Sequence, residues 1–352
     1  MEASIFEFLE EILLTAPDAS SSCADPAGQE RWQFAMKVQQ FTGPVQAEGL
    51  EDTAFYRYHV LISANDVGGH PGRLGVTPAE FHDANARRLE CWPTEMITTA
   101  THDTKRGEDA RMRINVLSEI PEAWRQAVSE WMRINGRHRS KISGVWAPDR
   151  NDEYLFYQTL VGVWPAEATQ APVPDRTAAD LVARVGGYMQ KAIREAKVHT
   201  SWIEEDPAYG RAVTRFVEQT LEGNTSARFL RSFVPFQRRV AAAGMVNSLA
   251  QLVLKLASPG VSDLYQGNEL WDLSLVDPDN RRDVDFARRQ QLLEEVLPLI
   301  VSIEDGGVGG PTVRDLLEHW DDGRIKLFIT AAGMRFRRRY SEVVLDGAYV
   351  PL

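Results

Sequence analysis

The chain has 352 residues, 43% hydrophobic and 25% charged, with a formal net charge of −11. That length is enough for one large or two medium domains with a sizeable core, and the acidic balance excludes generic nucleic-acid binding, because no basic surplus is available to neutralise phosphates. No apolar run approaches the span of a transmembrane helix, and Cys23 and Cys91 make neither a disulfide framework nor a metal-ligand spacing, so a reducing cytoplasm is the expected compartment.

The opening MEASIFEFLEEILLTAP is acidic and has no basic residue before its apolar part, unlike a signal peptide. Ile5, Phe8, Leu9, Ile12 and Leu13 recur at helical spacing and predict a buried helix. TAPDASSSCADPAGQE reads as a loop, a second helix starts near Arg31, and FTGPVQAEGLEDTAFYRYHV reads as a short strand, a polar turn and a cluster of aromatics. After a glycine-rich loop, Thr77-Pro78-Ala79-Glu80 predicts a helix start with a hydroxyl N-cap, an early proline and a returning glutamate. Met96 to Thr101 reads as a buried strand bounded by Pro93. Helices are expected over Gly107 to Leu117 and from Pro121, the latter with Trp124, Val128 and Trp131 on one face. HRSKISGVWAPDRND reads as a loop, and the helix after it ends near Gly162 to Pro165.

From Ala178 to Val198 a long amphipathic helix carries Leu181, Val185, Tyr188, Ala192 and Ala196 on its buried stripe, with Arg184, Lys191, Arg194 and Glu195 largely off it. Another runs from about Phe236 to Leu256 and stops at Ser258-Pro259-Gly260. Val261 to Gly267 then reads as a short strand entering the acidic and aromatic loop GNELWD. Helix, tight turn and strand in that order make an α/β layout in which helix dominates.

Candidate chemistry gathers at three places. If Met96 to Thr101 is a strand, His102 and Asp103 sit just past its carboxyl end, where parallel α/β proteins collect reactive side chains. The plainer alternative is that Asp103 or Thr104 caps the next helix while Lys105 and Arg106 are solvated. On pattern alone that plainer reading is favoured by roughly two to one. EGLEDTAFYRY and YQGNELWDLSLVDPDNRR each combine acids, arginines and aromatics, the mixture that sugar hydroxyls and the apolar face of a sugar ring require. Ordinary surface pairing, as between Arg281, Arg282 and neighbouring acids, explains the same residues. Lys197, His199 and Trp202 in REAKVHTSW lie beyond a helix end, where cations suit the dipole whatever the function. A remoter reading takes His59, His70, His82 and the His102-Asp103 doublet as a metal-dependent phosphohydrolase, although their spacing is not that of an ordered ligand set.

GLEDTAFYRY, TATHDTKRGEDAR and YQGNELWDLSLVDPDNRR, in this order and separation, resemble maltooligosyltrehalose synthase, a trehalose-forming family of the α-amylase superfamily. NDEYLFYQTLVG, REAKVHTSW and NSLAQLVLKL fit the same family, so the resemblance extends over nearly the whole chain. It implies a (β/α)8 barrel with inserted helices and a small C-terminal β domain. The implied reaction converts the reducing-end α-1,4 linkage of a maltooligosaccharide into an α,α-1,1 linkage, by a retaining double displacement without a cofactor or metal. By similarity, Asp103 is the transition-state-stabilising acid and His102 its hydroxyl-binding neighbour. Glu51, Lys105, Arg106, Glu269, Asp279 and Arg281 fall in motifs expected around the glucose that is reoriented.

The departures from the family are specific. Its nucleophile motif, resembling Gly-x-Arg-x-Asp-His, and its acid/base motif, resembling Glu-Lys-Ile, do not occur here, and Glu48 stands where the family usually has lysine. The expectation is therefore a C-terminal portion: a partial barrel holding about the last three strands, with residues 1–120 the sixth and seventh strand region, 121–235 an inserted helical subdomain and 236–352 the barrel's end. LDGAYVPL resembles the entry to the C-terminal β domain, expected to be missing. Such a chain is expected to be inactive alone, with strand edges and one apolar barrel face uncovered. It would be poorly soluble, self-associating, or completed by an N-terminal polypeptide. A non-catalytic maltooligosaccharide-binding remnant is the alternative. No nucleic acid or membrane partner is expected.

Overall fold

The computed structural model describes residues 3–14, 26–167, 175–222, 226–307 and 309–351. The chain divides into two compact units, Met1–Ala54 and Phe55–Leu352.

The first unit holds α1 (Ala3–Leu14), α2 (Pro26–Gln46) and a π-helical turn, Ala47–Glu51. Ile5, Phe8 and Leu9 are exposed, against the buried stripe expected of them: among the described residues of this unit α1 packs on α2, and most of its apolar face stays uncovered. The expected strand at FTGPVQ is also corrected, because α2 runs through Gly43-Pro44 to Gln46. With no strand beside it among the described residues of this unit, the segment satisfies its peptide groups locally, as a helix does. The predicted loop before α2, with Cys23, lies largely outside the described residues.

In the second unit α3 (Pro78–Cys91) starts at the predicted capping box. The Glu80 N–H donates to Thr77 Oγ1 at 3.2 Å and the Thr77 N–H to Glu80 Oε2 at 2.7 Å. After β1 (Met96–Ile97) come α4 (Glu108–Glu119), α5 (Pro121–Asn135), the hairpin β2 (Ser140–Ile142) and β3 (Val145–Ala147), and α6 (Arg150–Val163). The hairpin replaces the loop expected at HRSKISGVWAPDRND. Ser143 and Gly144 both take positive φ, the primed-turn conformation that joins two strands through two residues. Next come α7 (Asp175–Ala196), α8 (Pro207–Leu221) and α9 (Ala227–Ala257). The chain closes with β4 (Val261–Ser262), α10 (Phe286–Glu304), α11 (Gly310–Glu318), α12 (Arg324–Arg339) and α13 (Ser341–Asp346).

One continuous core joins α4 through α9. Trp131 is fully buried at its centre, its ring 5.2–5.8 Å from those of Tyr157, Phe229, Phe233 and Phe236. The predicted stripe of α7, Leu181 to Ala196, enters this core intact. Helix α9 begins nine residues before the predicted start, with Pro235 inside it, because Phe229 and Phe233 are anchored in the core. By length and composition alone it is long and apolar enough to cross a membrane, which corrects the expectation that no apolar run approaches that span; it packs instead into the core through Phe229, Phe233 and Val240. Its Gly244 allows close contact with α4, since a Cβ there would lie 2.7 Å from Arg113 Cγ. The expected boundaries at 120/121 and 235/236 run through this shared core, the second of them inside α9. A smaller core joins α10, α11 and α12 through Leu292, Val296, Ile300, Leu316, Ile325 and Leu327.

β1 and β4 pair in parallel, Met96 opposite Val261 and Ile97 opposite Ser262. Side chains alternate across a strand. Ser262, buried, donates its hydroxyl to the Lys255 carbonyl of α9 at 3.0 Å, so the Ile97–Ser262 face meets the helices. Met96 and Val261 point the other way and are 67% and 44% exposed. Among the described residues no further strand pairs with either.

Candidate functional site

The His102-Asp103 doublet lies in a turn five residues past β1, and both side chains are exposed. Threonines build the turn. The Asp103 N–H donates to Thr101 Oγ1 at 3.2 Å, and the Thr104 hydroxyl to the Thr101 carbonyl at 2.8 Å. Neither Asp103 nor Thr104 caps a helix: α4 starts at Glu108 behind Gly107, without a side-chain cap. Gly107 is required there for another reason. A Cβ on it would stand 2.5–2.6 Å from the Asp272 carbonyl oxygen and carboxylate, so the two loops meet backbone to backbone.

Lys105 and Arg106, solvated in the plainer reading of the sequence, are both buried. The Lys105 N–H donates to Asp66 Oδ1 at 3.2 Å. The Arg106 guanidinium donates to the Ile62 and Asn65 carbonyls at 3.1 and 3.3 Å and to the Tyr188 hydroxyl at 2.7 Å, and its backbone pairs with Leu275. Arg106 therefore ties the 62–65 segment and α7 to the strand end.

Asp279 accepts two hydrogen bonds from Arg184 of α7, at 2.8 and 3.0 Å, and one from the Leu275 N–H at 2.7 Å. Burial alone would raise its pKa, but the Arg184 guanidinium, Arg282 and the Leu275 amide hold it below the ordinary aspartate value. Asn280, which sequence reasoning did not single out, is buried and donates from Nδ2 to the His102 carbonyl at 2.9 Å. Glu269 pairs with Arg289 at 3.0 Å, and Arg281 with Asp277 at 2.8 Å in a half-exposed i,i+4 pair. Glu51, half-buried, belongs to the π-helical turn of the first unit.

Helix α7 links these loops. Arg184 also donates to the Leu273 carbonyl at 2.7 Å, Tyr188 receives Arg106, and Lys191 donates to the Asp277 carbonyl at 3.2 Å. At its end, Ala196 accepts from Arg57 Nε at 2.5 Å. Arg184 and Lys191 lie off the apolar stripe as the periodicity predicts, but each is bonded to the loop that follows β4.

Beneath the turn lies a buried ionic network that motif reading also missed. Lys326 of α12, fully buried, sits 2.7 Å from Glu108 Oε1 and 2.6 Å from Asp109 Oδ2, and donates to the Leu270 carbonyl at 3.0 Å. Lys255 is 3.7 Å from Glu108 Oε2, which also accepts from the Thr99 hydroxyl. Burial works against the charge on Glu108, yet the two lysines win and hold its pKa near 2. Asp109 is raised by burial and by Glu108 beside it, while Lys326 is raised by both carboxylates against its burial. Two acids opening α4 before an apolar run were the available signal.

The histidines of the phosphohydrolase reading go to different partners. His59, held near pKa 4 by burial, faces the Asn151 carbonyl, and His82 meets the Tyr349 hydroxyl at 2.7 Å. Among the described residues no three His, Cys, Asp or Glu side chains cluster to hold a metal.

No protein-family profile matches the chain. A protein of Mycobacterium tuberculosis, present in two strains and described as a maltooligosyl trehalose synthase, is 38% identical over 318 residues, which is 90% of this chain and 35% of that protein. A maltooligosyl trehalose synthase crystal structure superposes with a TM-score of 0.75 at 33% identity, over 97% of this chain and 44% of that one. This chain is related to part of maltooligosyltrehalose synthase. The synthase from Arthrobacter ramosus agrees, with a TM-score of 0.70 at 37% identity over 91% of this chain and 36% of its own. The chain thus spans about a third of the curated synthases it matches.

Proposed function

We propose that this chain is the C-terminal part of a maltooligosyltrehalose synthase of the α-amylase superfamily, with β1 and β4 as the seventh and eighth strands of a (β/α)8 barrel. The parallel pairing of β1 with β4 carries the reading. Its Ile97–Ser262 face packs on helices, as the outside of a barrel does, and its Met96–Val261 face is bare, as a barrel interior is when strands are missing. His102 and Asp103 then stand at the carboxyl end of a barrel strand, where such enzymes place their reactive groups.

In this reading the reducing-end α-1,4 bond breaks as a carboxylate attacks the anomeric carbon and an acid protonates the departing oxygen. The freed glucose turns, and its anomeric hydroxyl attacks the glycosyl-enzyme to form the α,α-1,1 bond, returning its proton to the acid/base. Asp103 holds the distorted sugar by charge-assisted hydrogen bonds, and His102 binds a neighbouring hydroxyl. Lys105 and Arg106 support that turn from beneath, while Glu269 and Arg281 belong to the surrounds of the reoriented glucose. Asp279, both of whose oxygens are engaged, acts through the loop it holds.

The nucleophile and acid/base motifs are not in this sequence. Turnover requires those two groups, and the part these 352 residues play in it is to bind and orient the maltooligosaccharide. The test combines this chain with the remaining portion of a related synthase and follows loss of reducing ends from maltopentaose. Asp103→Asn is expected to lower the rate of the mixture by at least ~10²-fold, and undiminished activity would overturn the assignment of Asp103.

A further inference from the structure

We infer that Asn280 is the residue that sets the position of the His102-Asp103 turn, and that Arg184 of α7 holds Asn280 in place through Asp279. The doublet is exposed and its turn is closed by short threonine contacts, with Lys105 and Arg106 anchored just after it, so a contact to the doublet itself decides where the Asp103 carboxylate is presented. Asn280 is the long-range partner that reaches the doublet itself: its amide Nδ2 donates to the His102 carbonyl across 178 residues of sequence. The side chain is buried, and the Tyr265 hydroxyl donates to its main-chain carbonyl at 3.3 Å.

Asn280 is itself held in a short 3₁₀ turn, Asp279–Arg281, whose first side chain is clamped. The clamp is bidentate, Arg184 on both carboxylate oxygens, the fork geometry that fixes orientation as well as distance. The same guanidinium takes the Leu273 carbonyl, and Asp279 Oδ2 takes the Leu275 N–H, so the loop is pinned on both sides of Val276. Leu275 in turn pairs with the Arg106 backbone. From α7 to the doublet the sequence of contacts is Arg184, Asp279, Asn280, His102, with no gap. A sugar bound at Asp103 would be sensitive to this chain because a carboxylate displaced by about 1 Å loses most of its advantage.

The inference rests on the proposed role of Asp103 for its functional meaning, but its test reads geometry without substrate, so failure of one is separable from failure of the other. Imidazole ¹H–¹³C spectra of the chain contain His102, identified by its loss in His102→Gln. Asn280→Asp keeps the shape and removes the donor, and is expected to move the His102 signal by more than its linewidth while those of His59, His82, His138 and His319 stay in place. Arg184→Gln is expected to move it in the same sense, Arg184→Lys by less, and Arg184→Gln with Asn280→Asp no further than Asn280→Asp alone. Should Asn280→Asp shift every histidine, as misfolding would, Asn280→Ala serves in its place. A His102 signal unmoved by the Asn280 change overturns the positioning role. Additive shifts in the double variant overturn the chain of contacts from Arg184.

Discussion

The helical body and the β1–β4 pair lie in one unit but stand differently toward water. From α4 to α9 the apolar faces close on one another, and Trp131 sits fully buried among five aromatic rings. The strand pair is covered on one side only, leaving Met96 and Val261 exposed opposite residues that pack well. A helix satisfies its peptide groups within itself and needs neighbours only for its apolar stripe. A parallel strand needs a neighbour on each edge as well as cover on both faces. The helical body can therefore be stable where the pair is covered on one side.

Two substitutions in the well-covered region carry the largest expected effects. Trp131→Ala should cost about 3–5 kcal/mol, a large-to-small change at the centre of the aromatic cluster, read as a lowered urea midpoint. Lys326→Met should cost about the same, since it leaves Glu108 and Asp109 buried without their shared cation. If either is tolerated within about 0.5 kcal/mol, the helical body is not the stable half of the comparison.

Asp152 gives a smaller effect with a pH signature. Burial, and then Asp149 beside it, raise its pKa from 3.8 to about 6, although it accepts from the Tyr209 hydroxyl. Between those two pH values the folded chain keeps a proton that the unfolded chain has released. Stability from this group therefore falls as pH rises toward 6 and stays lost above it. Asp152→Asn, which still accepts from Tyr209, should gain on the order of 2 kcal/mol at pH 8 and little at pH 4. Equal gains at both would place the effect elsewhere. The smallest effect belongs to the bare face: Met96→Ala in the chain alone should change stability by less than about 0.5 kcal/mol. A cost of ~2 kcal/mol or more would mean that the face is already covered.

What the sequence made legible follows the same division. The stripe of α7, the capping box at Thr77 and the Trp124-Val128-Trp131 face are local periodicities, and all are present. The FTGPVQ strand failed because a strand is defined by its partner, and among the described residues no strand pairs with that segment. The Ser143-Gly144 turn carried a hairpin signal that polar composition concealed. At the site, the doublet's place past β1 was legible, whereas the burial of Arg106, the Arg184 clamp and the Lys326 network were not. Each depends on residues tens to hundreds of positions away, which periodicity does not report.

The measurement closest to the central claim follows loss of reducing ends from maltopentaose in two samples, the chain alone and the chain mixed with the remaining portion of a related synthase. A barrel whose missing strands join the edges of the β1–β4 pair and cover its Met96–Val261 face predicts no loss in the first sample and steady loss, with a trehalose-ended product, in the second. Turnover by the chain alone would contradict it.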